Sequence, residues 1–113
     1  MEDLAPTIHR QRLVIEGYPE NIITSKQIKQ YLYELSQVIE MKALIEPVTH
    51  RSEKFGEAGW IHWETSGAHF YAWEQPHLFF SVDIYACKAF DNLLASSFTQ
   101  KFFKSQKQTH KQF

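Results

Sequence analysis

Residues 58–86, AGWIHWETSGAHFYAWEQPHLFFSVDIYA, read as three consecutive β-strands. Residues 58–66 form the first and 68–74 the second, with Ser66-Gly67 as the break between them. Gln75, Pro76 and His77 make a turn, because proline fixes φ and has no N–H for a strand ladder. Residues 78–86 then alternate. Phe80, Val82, Ile84 and Ala86 take one face, and Phe79, Ser81, Asp83, Tyr85 and Cys87 take the other. Strands linked this closely predict a largely antiparallel sheet with one apolar face.

Upstream, IHRQRLVIE (8–16) predicts another strand, with Leu13 and Ile15 on one face and Val14 opposite. Gly17, Tyr18 and Pro19 end it. A helix start follows: Thr24 caps, Gln27 completes a capping box, and Ile23 and Ile28 are spaced as a hydrophobic staple. Ile28, Tyr31, Leu32, Leu35, Val38 and Ile39 then make one apolar stripe. ALIEPVT (43–49) predicts a strand that Pro47 places at an edge or a bulge, followed by a polar loop over 50–59. A last helix is expected from about Ala89 to Phe103, with Phe90, Leu93, Leu94, Ser97, Phe98 and Phe102 turned inward. The order β-α-β-β-β-β-α predicts an α+β two-layer sandwich, a mostly antiparallel sheet with two helices on one face. The other face needs cover or water, and a second copy of the chain is one cover, so a homodimer is expected.

The 113 residues read as a single domain, with a core over about 8–103 and a basic tail over 104–113. A net charge of −1 argues against a nucleic-acid binder that works by neutralising phosphates. From Lys101 to Phe113 the chain carries Lys101, Lys104, Lys107 and Lys111 and no acid, which reads as a frayed, solvated end rather than an RNA contact. The lone Cys87 cannot form an internal disulfide. The start, MEDLAPTIHRQR, has no apolar signal region, and no apolar run is long enough to span a bilayer. These features predict a cytoplasmic protein with no membrane partner. Nine Phe, five Tyr and three Trp exceed what one small core needs, so some should line a pocket or an interface.

No Gly-rich loop precedes a helix and no GxSxG elbow is present. His62, His69, His77 and Cys87 cluster in the second half, but without the spacing of a zinc site. Ordinary hydrogen-bonded histidines are the expectation, with no metal. Asp83 projects from a strand among aromatics, either as a buried acid or as one that serves a neighbouring strand or solvent.

The run from Thr65 to Asp91, TSGAHFYAWEQPHLFFSVDIYACKAFD, resembles the bacterial and archaeal S-adenosylmethionine decarboxylases. Ser66, Trp73, Glu74, Val82-Asp83-Ile84-Tyr85 and Cys87 fall in the family's order, with one residue inserted in the Glu74–Leu78 turn. A strand ending in Glu16 and a long helix extend the likeness over roughly residues 8–103. The resemblance implies a decarboxylase of S-adenosylmethionine or a related amino acid, in polyamine (spermidine) synthesis. It implies self-cleavage between Thr65 and Ser66, which turns Ser66 into a pyruvoyl group that acts, as pyridoxal phosphate does elsewhere, as the electron sink for loss of CO₂. Cys87 matches the family's proton donor. Glu16 and Glu74 are implied for the substrate's charged end, and Trp73 and Phe79 for stacking on an adenine or sulfonium.

Three positions depart from the family. Tyr71 stands where the family has the histidine that assists processing, and a phenol is a poorer base than an imidazole at neutral pH. Thr65 replaces the usual Glu before the serine, and Gly67 the usual His after it. His69, two residues before Tyr71 on the same strand face, is placed to take over the missing role. The other reading is a noncatalytic relative that keeps the fold as a ligand-binding or regulatory dimer.

Overall fold

In the computed structural model, which describes residues 1–113, the elements run β1 (Gln11–Tyr18), α1 (Ser25–Val38), β2 (Val48–Ser52), β3 (Gly56–Trp63), β4 (Ser66–Trp73), β5 (Phe79–Ala86), α2 (Asn92–Phe103) and β6 (Lys107–Gln112). All pairings are antiparallel, in the order β2-β3-β4-β5-β1-β6. The alternation read from the sequence decides which face is covered. Leu13 and Ile15 of β1, Ile61 and Trp63 of β3, Ala68, Phe70 and Ala72 of β4, and Phe80, Val82, Ile84 and Ala86 of β5 are buried beneath the two helices. The result is the expected α+β sandwich with both helices on one face.

The α1 start folds as its residues dictate. Gln27 N donates to Thr24 Oγ1 at 3.2 Å, and Thr24 N donates to Gln27 Oε1 at 2.9 Å, a complete capping box. Its buried stripe, Ile28, Tyr31, Leu32 and Leu35, packs on the sheet. Gly59 of β3 permits the close approach, since a Cβ there would lie 2.5 Å from the Ile28 Cγ2 methyl. Tyr31 sits at the centre of the core, with its ring 5.2 Å from Phe70, 5.6 Å from Phe98 and 4.9 Å from Phe103. Its hydroxyl pairs with Thr99 Oγ1 at 2.7 Å, and burial pushes the phenol's pKa up. Trp63 Nε1 donates to Ser36 Oγ at 2.7 Å, and Ser36 Oγ donates to Leu32 O at 2.7 Å, so the polar atoms beneath α1 are satisfied.

Five expectations need correction. The break before β4 falls at Glu64-Thr65, and Ser66 and Gly67, expected to be the break, are its first two paired residues. The tail is not frayed: Lys107–Gln112 forms β6, an edge strand on β1 with Leu13 opposite Gln112 and Tyr18 opposite Lys107. The strand expected at 43–49 is shifted to 48–52, where it forms a hairpin with β3, and only Ala43 makes an isolated bridge, to Trp63. The polar loop expected at 50–59 is therefore mostly strand. In α2, Asp91 caps by accepting from Leu94 N at 3.1 Å, and this start sets the helix so that Ala95, Thr99 and Phe103 are buried. Leu93, Leu94 and Ser97, expected inward, are exposed.

Candidate active site on the open face

The uncovered face of the sheet holds most of the chemically capable side chains, and the cross-strand register sorts them into rows. Arg12, Tyr85, Gly67 and His62 form the first row, across β1, β5, β4 and β3. Val14, Asp83, His69 and Trp60 form the second, and Glu16, Ser81, Tyr71 and Ala58 the third. Phe79 and Trp73 face each other at the far end. The two ends of β4, Ser66 and Trp73, are seven residues apart on an extended strand, or about 23 Å.

At the first end, an open depression of about 420 Å³ is lined by Arg12, His62, Ser66, Gly67, His69, Asp83 and Tyr85. Gly67 makes its floor. A Cβ there would lie 2.6 Å from the Ile61 carbonyl oxygen, so the neighbouring strand leaves room for no side chain. Ser66 begins β4 opposite Ala86, which brings it beside Cys87 just past the end of β5. The Cys87 N–H donates to both Ser66 Oγ and the Thr65 carbonyl oxygen, each at 3.2 Å. The Ser66 hydroxyl donates in turn to Thr65 Oγ1 at 3.3 Å. One amide thus gathers the hydroxyl and the carbonyl on either side of the Thr65–Ser66 bond. The Cys87 side chain is exposed.

His69 lines the same depression, with its ring 6.5 Å from that of Tyr71 and nearly parallel to it. Tyr71 is five residues from Ser66, about 17 Å along the strand. Its nearer neighbours are Ser81, opposite on β5, and a separate depression of about 250 Å³ that it lines with His50, Phe55 and Trp73. Glu16 accepts from Ser81 Oγ at 3.1 Å in the third row, away from Ser66. Glu74 is held by Arg51 of β2, whose Nη1 and Nη2 donate to its carboxylate at 2.8 and 3.2 Å. These Arg51 hydrogen bonds lower the Glu74 pKa below the usual carboxylate range. The structure therefore joins Ser66 and Cys87 through one amide, sets His69 on the same depression about 10 Å further along β4, and leaves Glu16, Tyr71, Trp73 and Phe79 further along the face, with Glu74 just past the end of β4.

Sequence reasoning did not single out Arg12. Its Nε and Nη2 donate to Asp83 Oδ1 and Oδ2 at 3.0 and 2.9 Å, a bidentate pair across β1 and β5 that also raises the guanidinium pKa through those hydrogen bonds. Asp83 is thus an ion-paired acid rather than a buried lone one. The only available signal was parity: Arg12, like Val14, falls on the face opposite Leu13. No group of three or more His, Cys, Asp or Glu gathers closely enough to hold a metal ion. No helix is long and apolar enough to cross a membrane.

No curated protein matches the chain. Among solved structures it is similar to the crystal structure of the adenosylmethionine decarboxylase from Aquifex aeolicus VF5. The TM-score is 0.76 and the identity 13%, over 94% of this chain and 89% of that one, a likeness of fold. The S-adenosylmethionine decarboxylase family model matches residues 12–113, from Arg12 of β1 through β6 to Phe113. With that match spanning nearly the whole chain, the protein belongs to the S-adenosylmethionine decarboxylase family.

Proposed function

We propose that this chain cleaves itself between Thr65 and Ser66 and then decarboxylates S-adenosylmethionine or a related amino acid, supplying polyamine synthesis. The observation that carries the reading is the Cys87 N–H shared by Ser66 Oγ and the Thr65 carbonyl oxygen. Ser66 Oγ attacks the Thr65 carbonyl carbon, and its proton passes to the Ser66 nitrogen as the C–N bond breaks. The Cys87 N–H is placed to stabilise the charge that develops on the carbonyl oxygen. Loss of the Ser66 Cα proton then breaks the Cβ–Oγ bond of the resulting ester and frees the Thr65 carboxylate. Uptake of one water and release of one ammonia leave a pyruvoyl group at position 66.

The residues present fit such a group. Ser66 opens onto a depression whose floor is the bare backbone of Gly67, so a flat carbonyl group and a substrate have room there. When formed, the pyruvoyl group supplies the electron sink for loss of CO₂. Of the two candidate bases for the Cα proton, His69 lines the Ser66 depression, about 10 Å along β4, and Tyr71 lies further off. Cys87 returns a proton to the product carbon from its exposed thiol. Trp73, Phe79, Glu16 and Glu74 lie too far along the strand to reach the same small substrate within one chain. A two-fold homodimer that sets one open face against the other, antiparallel, brings the Trp73 end of one copy to the Ser66 end of its partner.

The test is the intact mass of the denatured protein. Two species, breaking between Thr65 and Ser66 with one water gained and one ammonia lost, are expected. A single full-length species after long incubation overturns self-processing. It moves the reading to a noncatalytic dimer that binds a small amine or adenosyl ligand, which Tyr71 in place of the family's histidine favours.

A further inference from the structure

Arg12 has an unused edge. Two of its three guanidinium nitrogens are spent on Asp83, at 3.0 and 2.9 Å. One face of the group is covered by the Phe113 ring, 5.1 Å from Cζ. Its third nitrogen, Nη1, donates to nothing in the chain, and the side chain is 46% exposed. A guanidinium fixed on one edge and one face, with its last donor free, is pre-organised for a ligand rather than mobile. Arg12 lines the Ser66 depression. It also lines the adjoining one, of about 390 Å³, in which Tyr85 and Phe113 are the aromatic walls. The Ser66 depression holds one acid, Asp83, and both of its oxygens are on Arg12, so no carboxylate there is free to meet a cation.

We infer that Arg12 is the anion-recognition residue of the Ser66 depression, and that its free Nη1 edge takes the carboxylate of an amino-acid ligand. The identity of that anion as an amino-acid carboxylate rests on the decarboxylase reading; the anion preference itself does not. Asp83 has a part in this. An uncompensated arginine would hold a carboxylate strongly and so oppose its departure as CO₂, because tight ground-state binding that is not kept in the transition state does not accelerate a reaction. A guanidinium already neutralised by Asp83 keeps the directional N–H contact but adds little net charge. It orients the carboxylate without anchoring it.

The experiment uses the full chain with Ser66→Ala, which cannot cleave, so that the sample is one species whether or not the parent processes itself. S-adenosylhomocysteine and its carboxyl methyl ester are titrated in parallel by calorimetry. The free acid is expected to bind about tenfold more tightly than the ester. Arg12→Gln should remove that preference, and Asp83→Asn, which leaves Arg12 uncompensated, should increase it. A merely structural ion pair gives a different pattern, in which both substitutions weaken acid and ester alike. That pattern, or equal binding of acid and ester by the Ser66→Ala chain, or binding of neither, overturns the proposal. If the parent chain never cleaves but the preference and its opposite responses are seen, the decarboxylase reading falls and the Arg12 site stands.

Discussion

Phe70 and Tyr71 are neighbours on β4 and lie in different worlds: Phe70 is fully buried against Tyr31, Phe80 and Phe103, while Tyr71 is 44% exposed on the open face. The same contrast runs the length of the sheet. One face is apolar, packed and covered by helices; the other carries Arg12, Glu16, His62, His69, Asp83 and Tyr85 in register. The covered face makes the fold and can tolerate little change. The open face packs against nothing within one chain, which leaves its residues free to be selected for chemistry or for a partner. The sharpest way to break this contrast is to truncate each neighbour. Phe70→Ala should cost about 3–5 kcal/mol, a large part of what a domain this size holds, whereas Tyr71→Ala, measured where the chain is dilute and monomeric, should stay within about 0.5 kcal/mol. Urea unfolding of the two variants decides it. A loss at Tyr71 that grows with protein concentration is what the proposed dimer predicts; similar losses in the monomer would erase the contrast between the faces.

Two glycines sharpen the comparison at a smaller scale. An alanine at Gly59 drives its Cβ to 2.5 Å from the Ile28 methyl, and one at Gly67 to 2.6 Å from the Ile61 carbonyl oxygen. Each forces a local shift that costs about 1–3 kcal/mol. The expected difference lies in the cleavage rate. Gly59→Ala separates α1 from the sheet and should leave cleavage at Thr65–Ser66 unchanged once the chain is folded. Gly67→Ala fills the floor beside Ser66 and should slow it. Time courses of intact mass, read beside the unfolding midpoints, distinguish them. Equal slowing would mean that the rate follows stability alone.

What the sequence made legible follows how local each cause is. Thr24 and Gln27 are three residues apart, and their capping box forms as read. The alternation of β5 needs no partner to be seen. The inner stripe of α2 was misread because Leu93 and Leu94 look like core, while the phase is set by the Asp91 cap and by Thr99, a polar residue whose burial depends on meeting Tyr31. β6 was hidden for a different reason. KQTHKQ carries no apolar pattern because it is an edge strand, and lysines at such an edge also discourage pairing with further strands. Its structure comes from β1, at the other end of the chain. Of the site, the order of Ser66 and Cys87 could be read from resemblance. Their meeting through one amide, the Arg12–Asp83 pair and the distance between Ser66 and Trp73 all depend on register, which a linear pattern does not contain.

The smallest expected effect lies at the rim where the two faces meet. Arg51 there bonds Glu74, and also Glu57 at 3.2 Å. The Glu74 carboxylate is depressed below its usual 4.5, chiefly by the Arg51 hydrogen bonds. A group whose pKa is lower folded than unfolded binds its proton more readily unfolded, so its contribution is full above the unfolded value and is lost as pH falls through the folded one. Glu74→Gln should therefore destabilise the protein most at neutral pH, and the difference from the parent should shrink as pH falls below about 4.5. Arg51 is half exposed, so water screens the pair and the effect should be well below that of Phe70→Ala. Urea midpoints of the two proteins across acid and neutral pH give the curve. If the difference does not change with pH, the Arg51–Glu74 pair contributes nothing to the fold. Glu74 is then free of structural duty and available to the charged end of a ligand.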